Sequence, residues 1–199
     1  MNTIIRFLSL TFIFSAASTF AVELKSDALN FTITIPDTWT VKSQDQTGFY
    51  VKSQDGNRDM NLAVIRATFA RLDSSYIARY EQVLRQTRHL QLISSRMFTI
   101  DGVPAYENIQ RIGEGAAASV KIERQILPDG RFYVLSAVML GGDATLDPEI
   151  QAALTSFHFL HAPKPPGSFA FGGFGLLGVG AVLAVIIIGA FLVLRSRKA

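Results

Sequence analysis

The order of apolar patterns predicts an α+β domain, an antiparallel sheet with helices packed on it, followed by one C-terminal transmembrane helix. Three observations lead there. Strand-like segments fill most of the middle of the chain, one long segment with helical periodicity interrupts them, and a meander of four further strand segments precedes a short closing helix. Strands in runs, rather than strands alternating with helices, exclude a βαβ design.

Phe31-Thr32-Ile33-Thr34-Ile35 alternates apolar and polar side chains, so it predicts a strand with one buried face, ended by Pro36. Residues 41–45 and 51–55 repeat Val-Lys-Ser-Gln-Asp around a turn near Gly48. Both copies are polar on both faces and are expected as an exposed edge hairpin. Asp55-Gly56 is a turn signal, and residues 60–69, apolar on both faces, read as a central strand.

The spacing predicts a helix over 72–92. Asp73 or Ser74 caps it, and Tyr76, Tyr80, Val83, Thr87 and Leu90 recur at helical spacing, thickened by Ile77 and Leu84. Glu81, Arg85 and Arg88 share the far stripe, which reads as a solvated face before it reads as a basic docking face. Four strands are expected next, at 92–100, 103–112, 119–127 and 131–140, separated by Asp101-Gly102, Gly113-Glu114-Gly115 and Asp129-Gly130. Val120, Ile122 and Ile126 alternate with Lys121, Glu123 and Gln125, which predicts one wet face. Residues 132–140 are apolar on both faces and belong in mid-sheet. Asp147-Pro148-Glu149 starts the closing helix, with Ile150, Ala153, Leu154 and Phe157 as its buried stripe.

The ends give an address. Residues 1–21 have the parts of a signal peptide: Arg6, a short apolar run, then small residues at −3 and −1 of a cut before Val22. Residues 172–194 carry no charge and are followed by the basic tail 195–199. That length spans a bilayer, and the tail is expected in the cytoplasm by the positive-inside tendency. Gly180 and Ala184 make only a weak small-xxx-small pair, and the Gly-Gly, apolar run, basic tail order also loosely matches bacterial sorting signals. Residues 163–171, rich in proline and glycine, form a short linker. The domain, 22–162, is therefore expected on the periplasmic or extracellular side of the inner (plasma) membrane, close to the bilayer.

The charge balance follows the same division. All 16 acidic residues and 14 of the 19 basic ones lie between Glu23 and Glu149, so that stretch is net −2. The sequence pI near 9.3 comes from the ends, which argues against nucleic acid as a partner. The absence of cysteine excludes disulfides, thiolate metal sites and cysteine nucleophiles.

Phe31 to Pro36, followed by Asp37-Thr38-Trp39, resembles the opening pattern of the PsbP-like family of α/β/α sandwich domains. That family includes an extrinsic photosystem protein, a nuclear Ran-binding factor and several exported bacterial proteins. Asp101-Gly102-Val103-Pro104-Ala105, Gly130-Arg131-Phe132-Tyr133-Val134-Leu135 and Ser156-Phe157-His158-Phe159 continue the resemblance, which covers about 29–160. It implies the fold, and members that mostly bind other proteins, but it brings no shared catalytic set.

No residue constellation points to chemistry. His158 and His161 lack a third ligand nearby, and His89 is expected to favour a helix dipole. Asp143, Asp147 and Glu149 read as caps rather than calcium ligands, and Gly113-x-Gly115 lacks the context of a phosphate cradle. Trp39 is expected in the core; the alternative is a pocket shared with Phe31 and Tyr50. No catalytic, cofactor-binding or metal residue is assigned. The expectation is a membrane-tethered, non-enzymatic module that binds another envelope protein. The alternative is an envelope receptor for a lipid or small apolar ligand.

Overall fold

The computed structural model describes residues 21–69 and 71–163. The signal peptide expected at 1–21 (Ala21 apart), nearly all of the linker at 163–171, the span at 172–194 and the tail at 195–199 lie outside them. Among the described residues no helix is long and apolar enough to cross a membrane.

Among the described residues, nine strands and two α-helices make three layers. β1 (Ala21–Ser26) and β2 (Phe31–Pro36) form a separate antiparallel hairpin. β3 (Trp39–Asp45), β4 (Gly48–Ser53), β5 (Arg58–Arg66), β6 (Leu90–Ile100), β7 (Val103–Ile112), β8 (Ser119–Ile126) and β9 (Arg131–Met139) form a second sheet, ordered β3-β4-β5-β9-β8-β7-β6. Every pairing between neighbouring strands is antiparallel. After β5, α1 (Ser74–Gln86) carries the chain to the far edge. The second meander then returns until β9 pairs with β5. α2 (Pro148–Thr155) closes the domain.

Alternation along the strands sorts the apolar residues into two cores. Tyr133, Leu135 and Ala137 of β9 face Phe31, Ile33 and Ile35 of the hairpin and Ile150 and Leu154 of α2. Phe132 and Val134 face the other way, onto Tyr80 and Leu84 of α1. β9 is therefore fully covered at the centre of the sheet, as its two-sided apolar pattern requires. Gly48 is held at φ +147° with its α-carbon against β5; a side chain there would put its Cβ 1.8 Å from the Leu62 carbonyl oxygen.

Several expectations need correction. β1 has no counterpart among the predicted strands, because Val22 to Ser26 follow the signal-like start so closely. The second Val-Lys-Ser copy is no exposed edge. It lies in β4, between β3 and β5, with Phe49 and Val51 buried. The helix stops at Gln86, not at 92. Thr87 leaves helical geometry, His89 takes φ +64°, and Leu90 and Leu92 enter β6. Leu90 and Leu92 still pack on the core beneath α1, so the apolar rhythm outlasts the helix. His89 therefore lies beyond the helix end, 3.2 Å from Glu114. The predicted wet face of β8 is also buried, since α1 lies over Glu123 and Gln125.

Candidate functional site

The face of the sheet beneath α1 is polar yet closed. Tyr80 Oη donates to Glu123 Oε1 at 2.5 Å, and Tyr76 Oη donates to Gln125 Oε1 at 3.1 Å. Lys121 Nζ and Gln125 Nε2 complete the shell of Glu123, at 2.5 and 2.8 Å. Burial alone would raise the Glu123 carboxyl. The Lys121 charge and these hydrogen bonds hold it below the usual glutamate range instead. Burial pushes the Tyr76 and Tyr80 hydroxyls well above the tyrosine value, so both act as neutral donors. Glu81 points inward rather than to the solvated stripe expected for it. It accepts from Ser95 Oγ at 2.6 Å and Tyr106 Oη at 3.0 Å, while Arg85 reaches it from outside at 3.1 Å.

The opposite face is held by ion pairs. Asp147 caps α2 by accepting from the Ile150 N–H, and Arg58 Nε donates to it at 2.7 Å. Glu149 accepts from the Trp39 indole at 3.0 Å. Glu107 sits between Arg96 Nε at 2.7 Å and Arg124 Nε at 2.8 Å, and Arg124 also reaches the Leu154 carbonyl. The two arginines offset the burial of Glu107 and keep its carboxyl below the ordinary glutamate value. These carboxylates are all engaged in holding elements together.

Concavity is found elsewhere, along β6. One cleft of about 360 Å³ lies on the α1 side, lined by Arg85, Leu90, Gln91, Leu92, Ile93, Ser94 and Ser95. A second, also about 360 Å³, lies on the α2 side. Arg96, Glu107, Ile109, Ile122, Thr145 and Gln151 line it together with the same two serines. Both clefts flank one edge strand. Ile93 and Met97 on that strand are each 47% exposed. An arginine stands at each cleft, Arg85 and Arg96, with side chains 66% and 65% exposed. Their carboxylate partners lie deeper, so the charge presented to solvent is positive. Open clefts of this kind offer apolar contact, cationic hydrogen-bond donors and main-chain groups.

The residues weighed from sequence are scattered. Trp39 is 4% exposed and Phe31 is fully buried, both in the core beside α2. Tyr50 lies on the other face of the sheet, with burial and nearby Asp59 pushing its hydroxyl up to about 12. The alternative pocket of Trp39, Phe31 and Tyr50 is therefore not assembled. His158 Nδ1 stands 2.9 Å from Asp101, while His161 bonds Asn30 through its main chain. Asp143 accepts from Thr145, a turn contact. Gly113 and Gly115 flank Glu114 in the turn that leads into a 3₁₀ segment, Gly115–Ala117. Among the described residues no group of three or more metal-ligating side chains converges. Sequence reasoning missed the β6 clefts. The signal for them was Ile93 and Met97 on either side of the polar run Ser94-Ser95-Arg96.

No protein-family model matches the sequence, and no curated protein matches it. Solved structures do match. The solution structure of the cyanobacterial PsbP, CyanoP, from Synechocystis aligns with a TM-score of 0.54 at 9% identity, over 73% of this chain and 95% of that one. The crystal structure of LpqN, involved in cell envelope biogenesis of Mycobacterium tuberculosis, aligns with a TM-score of 0.40 at 14% identity, over 69% and 84%. The domain is an antiparallel α+β sandwich. Its fold is PsbP-like, as the opening motif implied.

Proposed function

We propose that this chain is a membrane-held, non-enzymatic interaction module of the cell envelope that binds another envelope protein. The observation that carries this reading is the presence of two open clefts along one edge strand, β6. Open, cation-rimmed clefts suit a macromolecular surface better than an enclosed small ligand, whose site buries most of its surface. The engagement of Glu107, Glu123 and Asp147 in structural pairs supports the non-enzymatic part. The signal-like start at 1–21, the uncharged stretch at 172–194 and the basic tail at 195–199 support the address. In this reading the linker at 163–171 keeps the domain close to the bilayer and raises the effective concentration of a neighbouring site.

Two measurements on the full chain test this. Protease added outside the cytoplasmic membrane is expected to remove the domain and spare a tail fragment. Crosslinking in membranes is expected to yield a defined envelope protein, and inserting about 30 flexible residues after Lys164 lowers that yield without changing domain stability. A domain protected until the membrane is dissolved overturns the address. The absence of any partner overturns the interaction reading.

A further inference from the structure

The two-residue turn Asp101-Gly102, with φ +49° and +79°, fixes which backbone groups of β6 are free. In such a hairpin the flanking residues, Ile100 and Val103, form a hydrogen-bonded pair, and hydrogen-bonded pairs then recur at every second position. Phe98, Arg96 and Ser94 therefore bond β7, while Ser95, Met97 and Thr99 turn their N–H and C=O groups to the open edge. Among the described residues no strand pairs with that edge.

The other edge of the sheet is defended differently. A bulge between Val41 and Ser43 interrupts the seven-residue β3 in its middle, leaving only short regular runs. The bulge in β6 lies between Leu92 and Ser94, near the start of the strand, and leaves Ser94 to Ile100 in unbroken register. Bulges and charges blunt an edge against pairing. β6 keeps a long regular stretch that β3 lacks.

We propose that β6 is a docking strand, to which an extended segment of a partner protein with mixed acidic and apolar side chains adds in β-pairing. This rests on the interaction reading above and names its site and partner chemistry. Main-chain bonds to Ser95, Met97 and Thr99 supply the pairing, and alternate side chains of the added strand enter the two clefts. Leu90 and Leu92 line one cleft and Ile109 and Ile122 the other, so each accepts apolar groups. Arg85 and Arg96 at these clefts select for carboxylates. Arg96 Nε is committed to Glu107, leaving its Nη groups for a second carboxylate. A second copy of this chain is disfavoured as occupant, because self-pairing brings duplicate arginines to one edge.

The test uses the full chain in lipid nanodiscs and a capped peptide of about eight residues, a common strand length, with the order Val-Glu-Glu-Val repeated. This order puts both residue types on each face. The amides of Ser95, Met97 and Thr99 are expected to gain protection from hydrogen exchange on binding. Replacing glutamate by lysine in the peptide weakens binding by about tenfold or more, as does N-methylation of every second residue in one of the two phases. Raising salt from about 50 to about 500 mM weakens it several-fold. Met97→Pro removes an outward N–H while leaving the β7 ladder intact, and abolishes binding. If that variant fails to fold, the N-methylated peptides still decide between pairing and its absence. Equal binding of methylated and unmethylated peptides, or no binding by the acidic peptide, overturns the proposal. So does a dimer of this chain protected at the same three amides. A partner crosslinked at another surface overturns the docking strand alone, whereas no partner at any surface overturns the interaction reading itself.

Discussion

The Tyr80 hydroxyl donates a 2.5 Å hydrogen bond to Glu123, a carboxylate with no exposure to solvent, joining α1 to the middle of β8. The helix therefore docks on the sheet through a polar layer as well as through Leu84. A buried charge is tolerable only when paired and fully bonded, and Lys121, Gln125 and Tyr80 together meet that condition.

Tyr80→Phe is expected to lower stability by about 1.5–3 kcal/mol, the range for a hydrogen bond to a charged group. Glu123→Gln is expected to cost more, about 3–5 kcal/mol, because Lys121 is left mostly buried without its partner. Urea unfolding of the two variants checks the order. If Glu123→Gln proves the milder change, the ion pair is not what holds this layer.

Trp39 connects the opening motif to the closing helix. It packs in the core beside α2 and donates to Glu149. Trp39→Ala is expected to destabilise the domain by about 3–5 kcal/mol, the cost of removing a buried aromatic. Glu149→Gln keeps an acceptor for the indole and should cost under about 1 kcal/mol, as for a partly exposed ion pair. An unchanged urea midpoint for Trp39→Ala contradicts the placement of this residue in the core.

Acid should unfold the domain through the same carboxylates. Glu107 and Glu123 have folded-state values below the ordinary 4.5, so their contribution is fully present above that pH and is lost as pH falls through the lower folded values. Asp59 acts in the opposite sense. Its burial raises its value against the pull of Lys52, so protonation relieves rather than costs the folded state. Melting temperature measured from pH 7 downward should stay level until near 4.5 and then fall. In Glu107→Gln the fall should be shallower, although the variant starts from a lower value. An unaltered acid slope in that variant contradicts the role given to the Arg96–Glu107–Arg124 cluster.

Much of the fold is legible because burial imposes period-two patterns on strands. β2, β7, β8 and β9 and the start of α2 lie where alternation, turn residues and the Asp147 cap put them. The failures have a shared physical origin: polarity does not report burial when partners come from distant sequence. Glu123 and Gln125 read as wet, yet the Tyr80 and Tyr76 hydroxyls that satisfy them lie 43 and 49 residues away. Glu81 reads as solvated for the same reason, since Ser95 and Tyr106 belong to other elements. The end of α1 is misplaced because Leu90 and Leu92 serve the same core from a strand. The candidate site is less legible still. An open edge is a property of strand order, and strand order is not deducible from local patterns.

The most direct test of the interaction account is site-resolved photocrosslinking of the full chain in its membrane. A photoreactive side chain is placed singly at Met97 on β6, Lys42 on β3 and Leu146 before α2, all exposed positions. The account predicts one discrete adduct with a single envelope protein, strongest from Met97 and absent from Lys42. No discrete adduct from any of the three positions, in variants that fold normally, would contradict it.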